Sequence, residues 1–137
     1  MKVAGFSLVE LVVVIAIVAI LAAIAIPSYR SYVTSSYLTD AFNTLSSYKV
    51  QMEQYYQDNA NYGTANCGVA MPATKYFNYA CALSNGGQGF TITATANGTS
   101  GFTGYTFTVN DAGTQTTTAF PGATVPAACW LSKSSGC

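Results

Sequence analysis

From Leu11 to Ile26 the chain reads LVVVIAIVAILAAIAI, with no polar side chain, and counting from Phe6 adds only Ser7 and Glu10 as polar positions. A helix rises about 1.5 Å per residue, so the stretch from Phe6 to Ile26 reaches about 30 Å, the thickness of a bilayer core. After Pro27 the pattern changes. Leu38, Ala41, Leu45, Tyr48, Met52 and Tyr55 recur at steps of three and four, which lines them along one helix face. Asp40, Asn43, Ser47, Lys49 and Glu53 fall on the opposite side. Such a stripe belongs to a helix packed on its own domain, and an aromatic row at this spacing is more often core than ligand site. No Gly or second Pro interrupts the path from Pro27 to the stop signals Asn59, Asn61 and Gly63, so one helix is expected from Phe6 to about Asn59, about 80 Å long. Pro27 lacks an amide donor and crowds the preceding turn, and should bend or locally open that helix.

Residues Ala60 to Gly89 read as a long loop, pinned by Cys67 and Cys81, with room for a short element. The period then becomes two. Phe90, Ile92, Ala94 and Ala96 alternate with threonines, as do Tyr105, Phe107 and Val109, giving half-buried strands with one wet face. NGTSGFTG makes a wide hairpin turn, and Asp111-Ala112-Gly113 a tighter one into a third strand, Gln115 to Phe120. A small antiparallel sheet with one apolar face needs a cover, and the helix stripe supplies it. The expected class is α+β, with a long N-terminal helix, hydrophobic in its first half, packed on the sheet.

Composition narrows the function. Half of the residues are hydrophobic and 7% are charged, with five Lys and Arg against five Asp and Glu, and no His. Ordinary chains carry about 25% charged residues, so something other than bulk water solvates part of this one. Without His, the many Ser and Thr side chains lack their usual activating base, and no enzyme activity, cofactor or metal site is expected. Arg30, Lys49, Lys75 and Lys133 are spread along the chain and matched by Asp40, Glu53, Asp58 and Asp111, which disfavours nucleic acid as a partner of the isolated domain. Cys67, Cys81, Cys129 and Cys137 behind an apolar segment point to two disulfides and an oxidising compartment. Four cysteines allow three pairings. Local closure costs least entropy and favours Cys67 with Cys81 and Cys129 with Cys137. Glu10 is the only charge between the first residues and Arg30. A carboxylate inside an apolar helix costs about 2.5 to 3.5 kcal/mol on insertion scales, so a functional role is expected unless it stays wet near the surface.

Lys2, Gly5, Phe6-Ser7-Leu8-Val9-Glu10 and the following LVVVIAIVAILAAIAIPSY closely resemble the class III signal of type IV pilins and pseudopilins, over Gly5 to Tyr29. The resemblance implies a leader at 1–5, cut between Gly5 and Phe6 by prepilin peptidase, and methylation of the new amine on Phe6. It further implies a transmembrane and filament-core helix at 6–29, and a periplasmic or extracellular pilin domain at 30–137 with the ladle fold. Such a protein spans the inner membrane once before assembly and then belongs to an extracellular filament, a fimbrium. Glu10 would pair with the Phe6 amine of a neighbouring subunit during assembly. Met52-Glu53-Gln54-Tyr55-Tyr56, Asn61-Tyr62, Tyr105 to Thr108, Asp111-Ala112-Gly113 and Cys129-Trp130 resemble PilE-like minor pilins of type IVa systems, whereas the tail to Cys137 is closer to major pilins. The implied function is that of a structural type IV pilus subunit, polymerising with its own kind or with other pilins and serving adhesion, twitching motility or DNA uptake. The alternatives are a DNA-binding minor pilin of DNA uptake, which needs a basic stripe, and a type II secretion pseudopilin.

Overall fold

A computed structural model describes Gly5 and residues 7–137. The chain divides into two compact units, Met1–Thr34 and Ser35–Cys137. One helix, α1, is assigned over Leu8–Asn59 and includes Pro27 in its interior. Its start is capped: the Ser7 Oγ accepts the Glu10 amide at 3.2 Å. Ser7-Leu8-Val9-Glu10 is thus a Ser-x-x-Glu start, with an acid in the first turn where the helix dipole favours it. In the first unit the apolar stretch is exposed. Its most apolar 18-residue window has a mean hydropathy of 3.1 with no residue buried, so by length and composition it suffices to cross a membrane.

In the second unit the distal half of α1 packs on a four-stranded antiparallel sheet in the order β1-β2-β3-β4. The strands are β1 Phe77–Ser84, β2 Gly89–Ala96, β3 Thr106–Asn110 and β4 Gln115–Ala119. β1, eight residues long, occupies the segment expected to be a long loop with room for only a short element. Its period of two is real: Phe77, Tyr79, Cys81 and Leu83 turn inward, while Asn78, Ala80, Ala82 and Ser84 are exposed. Alanines on the wet face, and Tyr and Cys on the dry one, blur the contrast that makes a strand visible. Fixed register pairs, Cys81 with Ile92, Ile92 with Val109 and Ala94 with Phe107, stack the inward side chains in rows.

Those rows meet the helix stripe. Leu38, Ala41, Leu45, Tyr48 and Met52 are at most 2% exposed, as are Phe77, Phe90, Ile92, Ala94, Phe107 and Val109. Burying each larger apolar side chain contributes about 1.5 to 3 kcal/mol. Outward, Thr93 pairs with Thr108 and Thr95 with Thr106, a hydroxyl face without charge.

Two irregular segments are fastened to this core. The loop between α1 and β1 is tied by the Cys67–Cys81 disulfide, with Cα atoms 6.2 Å apart, and by the Tyr48 hydroxyl, which donates to the Val69 carbonyl at 2.6 Å. Gly68 lies under the Tyr55 ring, where a Cβ would overlap it. The tail after β4 pairs Ala127 with Thr117 and ends in the Cys129–Cys137 disulfide, with Cα atoms 6.0 Å apart.

Candidate functional site

An up-and-down sheet sorts its connections into two ends. At one end lie the turns between β1 and β2 and between β3 and β4. Here Asp111 accepts the Phe90 amide at 3.3 Å, Glu53 accepts the Tyr62 hydroxyl at 3.2 Å, and Lys49 pairs with Glu53 at 3.3 Å. The buried phenol of Tyr62 is pushed up to about 12, by desolvation first and then by Glu53. This end holds acids, and its one lysine is already partnered.

The other end differs. The start of β1, the wide turn between β2 and β3 and the exit from β4 converge there. The Asn97 side chain donates to the Lys75 carbonyl at 2.9 Å, which fixes Lys75 beside that turn. Its ammonium lies 5.2 Å from the centroid of the Tyr76 ring, and Tyr76 stacks on Tyr37 of α1 with centroids 3.7 Å apart. The Tyr76 phenol is held below its ordinary value, chiefly by a hydrogen bond with Tyr37 and then by Lys75, with burial opposing. At the exit from β4, Ser134 comes within 3.9 Å of where a Cβ on Gly122 would stand. That contact brings the Cys129–Cys137 loop, and with it Lys133, to the same end. Lys75 and Lys133 are both exposed. Neither forms an ion pair among the described residues, and the charge of Asp40 on α1 acts on Tyr79.

The residues singled out from the sequence do not form one site. Gly5 and Glu10 are exposed at the start of the first unit, and Pro27 lies farther along α1. Phe6 lies outside the described residues, and with it the proposed cleavage bond and methylated amine. The four cysteines form two sequence-local pairs that brace loops. No group of three or more His, Cys, Asp or Glu side chains able to hold a metal gathers among the described residues. Sequence spacing leaves open whether folding gathers Lys49, Lys75 and Lys133; strand order and the packing of the tail put Lys75 and Lys133 toward one end of the sheet and Lys49 at the other. Sequence reading passed over the Ser7 cap, although Ser-x-x-Glu before an apolar run is a legible signal.

Comparison with known proteins bears on both units. The prokaryotic N-terminal methylation motif matches residues 1–26. A family model described as type IV minor pilin ComP, DNA uptake sequence receptor, matches residues 27–129. The chain is 39% identical over 98 residues to the fimbrial protein EcpC of Eikenella corrodens, across 69% of this chain and 63% of that protein. It therefore spans less than two thirds of that relative. Its fold is similar to a type IV pilin from Shewanella oneidensis, with a TM-score of 0.53 at 16% identity over 72% of this chain and 98% of the other. It is also similar to the non-core minor pilin PilV of Neisseria meningitidis, with a TM-score of 0.56 at 25% identity over 72% and 96%. The long helix on a four-stranded antiparallel sheet is the type IV pilin fold, a structural and non-enzymatic class. The family description runs against the expectation that nucleic acid is disfavoured as a partner, because counting charges along a chain does not register which of them a fold gathers. By its N-terminal methylation motif, its fold and the match over most of its length, the chain belongs to the ComP family of type IV minor pilins.

Proposed function

We propose that this chain is a DNA-binding minor pilin that joins other pilins in a filament through its apolar helix and receives DNA on the end of the sheet carrying Lys75 and Lys133. The observation that carries the reading is the match of residues 27–129 to a family of DNA uptake sequence receptors. Charge placement supports it. Strands lie about 4.8 Å apart, so β1 and β4 are about 14 Å apart, comparable to the major groove of about 12 Å. Lys75, just before β1, and Lys133, in the tail after β4, flank that width and can reach phosphates on either side of a groove. Asn97, Thr99, Ser100 and Thr103 on the intervening turn supply the polar groups that base recognition needs. Two phosphate contacts make a shallow electrostatic footprint, so one subunit binds weakly and several copies in a filament gain by avidity. Processing after Gly5, methylation of Phe6, a single inner-membrane pass before assembly and a place in the extracellular pilus belong to the same reading, as does docking of Glu10 against a neighbour's Phe6 amine.

Fluorescence anisotropy of the full-length chain in neutral detergent tests this, with duplexes tiled from the source genome and shuffled controls. Wild type is expected to prefer particular duplexes. Replacing Lys75 and Lys133 by Ala should reduce the slope of log affinity against log salt by about 1.8, at about 0.9 per phosphate. Lys49→Ala, at the other end, should leave the slope unchanged. Wild-type binding that lacks sequence preference and ignores the double substitution would refute the reading.

A further inference from the structure

The Cys129–Cys137 loop is nearly all surface: Ser132, Lys133, Ser134, Ser135 and Cys137 are exposed. Left to itself, such a loop would let Lys133 range widely. Two features hold it. The Lys133 and Gly136 backbones exchange amide-to-carbonyl bonds at 3.3 Å in both directions, so Ser134 and Ser135 form the tip of a miniature hairpin whose second arm leads into Cys137. The first arm is held from inside the core by Thr117.

Thr117 is the one buried polar residue among the buried side chains described, with no exposure. It occupies an inward position of β4 opposite Phe107. Its hydroxyl donates to the Cys129 carbonyl at 2.6 Å and accepts the Leu131 amide at 2.9 Å. One side-chain oxygen thus clasps the backbone on both sides of Trp130. The Trp130 ring stacks on Phe42 of α1 with centroids 5.2 Å apart, and its Nε1 donates to the Thr108 carbonyl at 2.8 Å. Val would fill the same volume, but it would leave a half-buried carbonyl and a buried amide without their partner.

Resting on the reading of this end as a DNA site, we propose that Thr117 is a positioning residue: through Leu131 it sets the arm from which Lys133 reaches a phosphate. Its loss should act on binding only by way of Lys133. For the full-length chain in neutral detergent, Thr117→Val is expected to lower the salt slope by about 0.9, as Lys133→Ala does, which removes about 3.5-fold of the affinity change between 50 and 200 mM salt. The two changes together should equal Lys133→Ala alone, a non-additive pair. Thr117→Ser, which keeps the hydroxyl, should restore the slope, and Thr117→Val with Lys75→Ala should be additive. Amide exchange at Leu131 should quicken in Thr117→Val and return to normal in Thr117→Ser. If Thr117→Val does not fold, Trp130→Phe probes the same anchor by deleting the Nε1 bond while keeping a ring on Phe42, and an unchanged salt slope there overturns the proposal. A slope in Thr117→Val equal to wild type, or an equal loss in the Lys133→Ala background, overturns it while the DNA reading stands. Wild-type binding by Lys133→Ala removes the premise and the proposal with it.

Discussion

Replacing Tyr48 by Phe deletes one hydroxyl and changes the stability of the domain with opposite sign on either side of a defined pH. Tyr48 is 2% exposed and gives its proton to the Val69 carbonyl at 2.6 Å, tying the disulfide-braced loop to α1. A hydrogen bond of this kind contributes about 1 kcal/mol net, so near pH 8 the Phe variant should be less stable by about that amount. Burial also pushes the Tyr48 phenol up to about 12 from its ordinary 10.0. A group whose pKa is raised on folding contributes stability that is complete below the unfolded value and is lost as pH climbs toward the folded one. The unfolded chain sheds this proton from pH 10 upward and the folded chain only near 12. Wild type therefore loses about 1 kcal/mol from this group by about pH 10.7 and about 2.3 kcal/mol by pH 12. The Phe variant has no such proton to lose. The two stability curves should cross near pH 10.7, with Tyr48→Phe the more stable above it. Tyr62, also raised to about 12, titrates in both proteins and cancels from the difference. Denaturant midpoints of the full-length chain in neutral detergent can be followed through Trp130, the single tryptophan, which is 9% exposed and stacked on Phe42. Curves that stay parallel from pH 8 to 12 would refute the assignment of a buried, protonated Tyr48.

Gly68→Ala should destabilise the domain by about 1 to 3 kcal/mol through overpacking, because the new Cβ overlaps the Tyr55 ring; Tyr55→Ala in the same chain should recover most of the loss in the same fluorescence assay. On the proposed assembly role, Glu10→Ala and Glu10→Gln should both be processed and inserted yet be depleted from sheared filaments measured by mass spectrometry. Because Ser7 still caps α1 through its Oγ, neither should lower the helix content seen by circular dichroism, and normal filament incorporation of both would end the charge-register idea.

Periodicity and covalent proximity account for everything that could be read from the chain alone. The stripe from Leu38 to Met52 could be read because a helix brings every third or fourth residue to one side whatever it packs on. β2 and β3 could be read because threonine and apolar residues alternate along them, and β4 because the Asp111-Ala112-Gly113 turn hands the chain on to it. The N-terminal motif is contiguous, and contiguous signals survive without any knowledge of the fold. β1 escaped because burial there is decided by neighbours: Ala80 and Ala82 look apolar in the sequence and face outward, whereas Tyr79 and Cys81 turn in. Tertiary structure alone decided the rest. Strand order and the packing of the tail bring Lys75 and Lys133, far apart along the chain, toward one end of the sheet and leave Glu53 and Asp111 at the other, so a chain of zero net charge separates its charges in space. Thr117 is one of three consecutive threonines, and only the β4 register turns its hydroxyl inward to hold the tail. Charge and hydrogen bonding act through space, over distances that chain separation does not report.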